Sequence, residues 1–103
     1  DSPMLEYYRS LAYANQENYG RAVVYMERVA EDYLENPTPW LQLSIYYGKL
    51  GDRYNLFRTA GVYHLLTGDK EKMQANFKLA QRAAAEDKVK LAVLQTTYER
   101  FNP

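Results

Sequence analysis

A Gly-Asp pair occurs twice in this chain at an interval of seventeen residues, first as Gly51-Asp52 and then as Gly68-Asp69. Each pair follows a stretch in which apolar residues recur every three or four positions, and a third such stretch begins at Lys70. Glycine tolerates the left-handed backbone that often ends a helix, and aspartate can accept the free N–H groups that begin the next one. The two pairs therefore predict tight turns between three consecutive helices.

The same apolar spacing extends over the rest of the chain. It predicts an all-α protein with six helices, at about 3–15, 18–34, 39–50, 53–66, 70–85 and 87–101. We expect Ser2 to cap the first helix and Thr38 the third, because each precedes a proline that suits the first helical position. No segment alternates long enough to predict a strand. In the third helix the packing stripe consists of Trp40, Leu43, Tyr47 and Leu50.

A helix that recurs about every seventeen residues resembles a tetratricopeptide repeat, in which two helices fill a period of about 34 residues. One register of the repeat pattern matches Phe57, Ala60-Gly61, Gly68-Asp69, Phe77 and Ala80. A second register starts at Trp40 and overlaps the first in the fourth helix, so the pairing of helices into hairpins stays open. The resemblance implies a single domain over residues 1–103, built as a right-handed superhelix of about six antiparallel helices in three hairpins.

The stretch from Phe57 to Ala80, followed by Asp87 and a last helix that ends near Phe101, also resembles the repeat tail of bacterial M48-type zinc metalloproteases. In that family a periplasmic protease domain precedes the repeats. The resemblance implies a periplasmic segment that recruits substrate or an envelope-assembly partner. The alternative is a stand-alone or cytosolic repeat scaffold unrelated to proteolysis. Because the chain begins at Asp1 rather than Met, we expect it to be a piece of a longer or processed protein.

The residues offer little catalytic chemistry. The chain has no cysteine and one histidine, His64, whereas a zinc site takes three or four protein ligands. The His-Glu-x-x-His motif of the metalloproteases does not occur, nor does a glycine-rich phosphate loop or a nucleophile elbow. We therefore expect a segment that is not an enzyme, and that uses no metal and no other cofactor.

Charge and hydropathy narrow the class of partner. The 13 basic and 13 acidic residues give a net charge of zero, so we expect no nucleic-acid partner. No apolar run reaches the length of about 18–20 residues that a membrane span needs. A protein or peptide remains as the expected partner.

Tyrosine is frequent, with 11 residues that include the adjacent pairs Tyr7-Tyr8 and Tyr46-Tyr47. Neighbours on a helix point about 100° apart, so both members of a pair can hardly face one packing seam. Since Tyr8 and Tyr47 fit the packing stripes, Tyr7 and Tyr46 are expected on a second surface. Either neighbouring helices bury that surface as well, or it lines a binding groove.

The groove hypothesis assigns its floor to Leu41 and Ile45 and its walls to Tyr7 and Tyr46, with Lys49 one turn beyond Ile45. Tyrosine supplies a large contact area with a polar tip at low entropic cost. Such a groove suits an extended or partly unfolded chain.

Overall fold

The computed structural model describes residues 2–101, and this range contains six α-helices and no strand. The all-α class is therefore confirmed. The helices are α1 (Pro3–Asn15), α2 (Tyr19–Asp32), α3 (Pro37–Leu50), α4 (Arg53–Leu66), α5 (Lys70–Ala84) and α6 (Lys88–Phe101).

The two Gly-Asp turns have the geometry that the sequence predicts. Gly51 is left-handed, with φ of 72° and ψ of 16°, and Gly68 has φ of 84°. The Asp52 side chain accepts a hydrogen bond from the Asn55 N–H at 3.1 Å, and the Asp69 side chain accepts one from the Lys72 N–H at 3.1 Å. Glycine thus ends one helix and aspartate caps the next.

The expected cap of α3 is wrong. The helix begins two residues earlier than predicted, at Pro37, and Asn36 is its cap. The Asn36 side chain accepts a hydrogen bond from the Thr38 N–H at 3.0 Å, so Thr38 is the residue being capped. Pro37 fits the first helical position because that position needs no N–H donor. The cap of α1 is as predicted, since the Leu5 N–H donates to the Ser2 hydroxyl at 3.2 Å.

The core forms where consecutive helices pack against each other from α1 to α6, and α6 also packs against α4. Trp40, at 1% exposure, is the largest of the fully buried side chains, and Leu43 and Tyr47 of the same stripe are buried with it. Leu50 was expected in this stripe but is 48% exposed, because it is the last residue of α3.

The helices α4 and α5 approach closely at Gly61. A Cβ atom at this position would lie 3.1 Å from Cε2 of Phe77, which is tighter than an ordinary contact. The small residue and the large ring are therefore complementary, as the sequence pattern predicts.

Helix α6 returns across the bundle and touches all four helices from α2 to α5. Its contacts include a hydrogen bond from Tyr54 to Lys90 and an ion pair between Arg100 and Glu31. They also include two edge-to-face ring pairs, Tyr98 with Phe77 and Phe101 with Trp40. Over residues 2–101, no helix is long and apolar enough to cross a membrane.

Candidate functional site

Tyr46 lies in the core, which contradicts its expected place on a groove wall. It is only 4% exposed, and its ring centroid lies 6.0 Å from that of Tyr19. Burial raises the pKa of Tyr46 above its usual value of 10.0, although a hydrogen bond with Ser10 partly opposes this rise. Both Tyr46 and Tyr47 are buried because α3 has neighbours on more than one side, so two directions from this helix face the core.

The other tyrosine pair is oriented opposite to expectation. Tyr8, which fits the packing stripe, is 60% exposed, whereas Tyr7 is half-buried and packs against the core. The two rings lie edge to face, with centroids 5.8 Å apart. The half-buried ring of Tyr7 therefore packs against the exposed ring of Tyr8.

The remaining predicted groove residues lie on the surface. Leu41 is 36% exposed, Ile45 is 45% exposed, and Lys49 is exposed as well. Because four residues make about one helical turn, these three side chains share one face of α3. The two apolar members form a ridge, and Lys49 lies at its end.

A cavity of 330 Å³ lies between the start of α1, the end of α2 and the start of α3. Thr38, which lines the cavity, lies one turn before Leu41 on α3. The other lining residues are Pro3, Met4, Tyr7, Tyr8, Val29, Tyr33, Asn36 and Pro39. We call the exposed or half-buried apolar part of the cavity and ridge the tyrosine surface; it consists of Met4, Tyr7, Tyr8, Tyr33, Leu41 and Ile45.

Three members of the tyrosine surface were not predicted for it, namely Met4, Tyr8 and Tyr33. Tyr33 continues the apolar stripe of α2 in the sequence, but the helix ends at Asp32 and the side chain is 52% exposed. Met4 and Tyr33 lie close to a helix end, whereas Tyr8 lies near the middle of α1. The signal that could have found Met4 and Tyr33 is an apolar side chain at a helix terminus, where no neighbouring helix is placed to cover it.

A polar network joins α2, α3 and α4 elsewhere in the molecule. The Tyr47 hydroxyl donates to Oε1 of Glu27 at 2.6 Å, and Nη2 of Arg58 lies 3.4 Å from the same oxygen. Burial first, and then the Glu27 carboxylate, raise the pKa of Tyr47 well above its usual 10.0. A tyrosine that holds its proton this firmly is a hydrogen-bond donor, not a general base near neutral pH.

The carboxylate of Glu6 is also buried, at 7% exposure. One of its oxygens lies 3.4 Å from Nη1 of the more exposed Arg28, and the other has no hydrogen-bond partner. A buried acceptor without a donor costs stability.

Among residues 2–101, no three His, Cys, Asp or Glu side chains are placed together to hold a metal ion. His64 lies in the last turn of α4, with its ring 5.2 Å from and edge to face with that of Tyr63.

Two further cavities flank α6. One of 520 Å³ lies between α5 and α6, and one of 640 Å³ lies between α6 and the helices α2 and α4. The second is bordered by two ion pairs, Arg58 with Glu27 and Arg100 with Glu31. Both cavities therefore lie where α6 packs against the rest of the bundle.

Comparison with known proteins gives no relative on which to base an assignment: no family model, curated protein or solved structure matches this chain.

Proposed function

We propose that this chain is a non-catalytic protein-binding module and that the tyrosine surface is its binding site. One observation carries the proposal. Ten large hydrophobic side chains are exposed among residues 2–101; three of them, Met4, Tyr8 and Tyr33, line one cavity, and two more, Leu41 and Ile45, follow its lining residue Thr38 along α3. Apolar groups that cluster beside a cavity are typical of a docking site, whereas scattered ones are ordinary.

The chemistry of this surface selects an apolar or aromatic segment of a partner protein. Burial stabilises such a complex by about 25 cal/mol per Å² of apolar area, before the entropic costs of association. The tyrosine hydroxyls can keep hydrogen bonds with water or with the partner's backbone while the rings are covered. Because no ion pair is required, affinity should depend only weakly on salt.

For the architecture we propose a tetratricopeptide-like array of helical hairpins. The support is the pair of Gly-Asp turns, the packing of each helix on the next, and the contact between Gly61 and Phe77. The resemblance to the tail of M48-type metalloproteases extends this to a periplasmic parent that carries the protease domain upstream of Asp1. A His-Glu-x-x-His motif in the preceding sequence would support that parentage, and a different upstream domain would favour the stand-alone scaffold.

The experiment selects random peptides displayed on phage against the immobilised chain and then measures the affinity of the enriched peptides. We expect enriched sequences to be rich in aromatic and branched apolar residues. Ile45→Asp should weaken their binding at least tenfold, because a charge then faces the apolar partner. The control is Val89→Asp on α6, which introduces the same charge at an exposed valine away from the tyrosine surface.

Both variants must first show wild-type helix content by circular dichroism. If folded Ile45→Asp binds the peptides as tightly as wild type does, the tyrosine surface is not the site. If Val89→Asp weakens binding by the same factor, the effect is one of net charge and the assignment also fails.

A further inference from the structure

The turn between α5 and α6 places a non-glycine residue in a backbone conformation that favours glycine. Ala85 lies seventeen residues after Gly68, which itself lies seventeen after Gly51. Its dihedral angles are φ 53° and ψ −118°, and the Asp87 N–H donates to the Ala84 carbonyl at 3.0 Å. These are the features of the first central residue of a type II′ turn, a position that glycine dominates. The chain is therefore strained where α5 meets α6.

The sequence at this turn would also suit a continuous helix. From residue 83 to 88 it reads Ala-Ala-Ala-Glu-Asp-Lys, without the glycine, proline or asparagine found in the other turns between helices. Alanine, glutamate and lysine are among the strongest helix formers. The turn thus opposes the local preference of its own residues.

Helix α6 buries only a small part of its surface against the other helices. Of its 14 residues only Leu94 and Thr97 are buried, and the cavities of 520 and 640 Å³ lie on either side of it. Val89 and Val93 on this helix remain 73% and 45% exposed.

The contacts that α6 makes are specific, although few. The Tyr54 hydroxyl donates to the Lys90 carbonyl at 2.7 Å. Arg100 reaches the Glu31 carboxylate with both terminal nitrogens, at 2.9 and 3.3 Å. Such contacts define where α6 docks, but they do not require that α6 belong to the same chain.

We propose that the surface beneath α6 is an interface at which two copies of this chain exchange their last helix. In each copy α5 continues through Ala85 into α6, and α6 then packs on α2 to α5 of the other copy. Every contact of α6 is kept, and the strain at Ala85 is relieved in both copies. Exchange through a short strained hinge is a low-cost route to a two-fold dimer.

The first experiment uses the absence of cysteine from the sequence. Chains with Glu31→Cys are mixed in equal amounts with chains carrying Arg100→Cys, unfolded, refolded together at high concentration and treated with a bismaleimide cross-linker, because the Cα atoms of an arginine and a glutamate that form an ion pair generally lie farther apart than a disulfide can span. Exchange places residue 31 of one chain near residue 100 of the other, so mixed cross-linked dimers should clearly exceed the half of all dimers that random pairing gives. Mixed dimers at no more than the random proportion would overturn the proposal.

The second experiment needs no cysteine and measures the monomer–dimer equilibrium by analytical ultracentrifugation after the same refolding. Ala85→Gly relieves the strained turn, which favours the monomer about fivefold per hinge and so raises the dimer dissociation constant about 25-fold. The matched control is Glu17→Gly, which relieves a positive φ of 58° in the α1–α2 turn and should leave the dimer constant unchanged. The proposal is wrong if wild type stays monomeric at the highest concentration, or if Ala85→Gly and Glu17→Gly behave alike.

Discussion

Replacing Gly61 by alanine should destabilise the protein, although alanine is the better helix former. The Cβ atom of the new residue would lie 3.1 Å from Cε2 and 3.2 Å from Cδ2 of Phe77. The Phe77 ring has little room to move, since it is 8% exposed and lies edge to face with Tyr98 at 5.1 Å between centroids. The clash must therefore be relieved by shifting α4 away from α5.

The magnitude follows from two opposing effects. Overpacking of a filled core costs about 1–3 kcal/mol. The higher helix propensity of alanine returns at most about 1 kcal/mol. Taken together, these terms predict a net loss of up to about 2 kcal/mol for Gly61→Ala. At Gly48 the new Cβ would meet only Cδ1 of Leu56, at the ordinary distance of 3.8 Å. Gly48→Ala should therefore stabilise the protein by about 0.5–1 kcal/mol.

The assay is urea unfolding followed by far-ultraviolet circular dichroism, with Phe77→Leu as a third variant. In the Phe77→Leu background the ring is gone, so Gly61→Ala should become neutral or stabilising, and the double-mutant cycle should show coupling. If Gly61→Ala raises the urea midpoint as much as Gly48→Ala does, the close approach of α4 and α5 is wrong.

Three further predictions concern stability. Phe77→Ala should cost about 3–5 kcal/mol and Phe57→Ala clearly less, because the Phe57 ring is only partly buried; equal losses in urea unfolding would contradict this. Burial raises the pKa of Tyr47 above 10.0, so above that pH the folded state binds more protons than the unfolded chain and the free energy of unfolding falls. In Tyr47→Phe the free energy of unfolding should fall less steeply above pH 10.0, by up to about 1.4 kcal/mol per pH unit. If wild type and Tyr47→Phe show the same slope above pH 10.0, the hydroxyl titrates normally. Glu6→Leu should stabilise the protein by about 1 kcal/mol, since the lost carboxylate has one oxygen without a partner; a lower thermal midpoint for the variant would show that the contact with Arg28 matters more.

The features that the sequence predicts well are local ones. A left-handed residue followed by a capping side chain needs only a few neighbouring positions, so the turns at Gly51 and Gly68 could be found from the sequence. The cap at Asn36 was missed because the sequence offers two candidate caps, each followed by proline, and both fit the local rules.

The features that the sequence predicts badly depend on the number of neighbours around a helix. Periodicity assigns one member of each tyrosine pair to the core, but α3 has neighbours on more than one side, so Tyr46 is buried together with Tyr47. At α1 the phase itself is wrong, and Tyr8 rather than Tyr7 is exposed. The sequence pattern places the break between α5 and α6 near residue 86, but three consecutive alanines give no sign of the positive φ at Ala85.

The most direct test of the proposed function is a nuclear magnetic resonance titration of the isotope-labelled chain with one of the selected peptides. We predict that the largest chemical-shift changes occur at Met4, Tyr8, Leu41 and Ile45, and that they are lost in Ile45→Asp. Changes centred instead on the cavity between α5 and α6 would contradict the assignment of the tyrosine surface as the binding site.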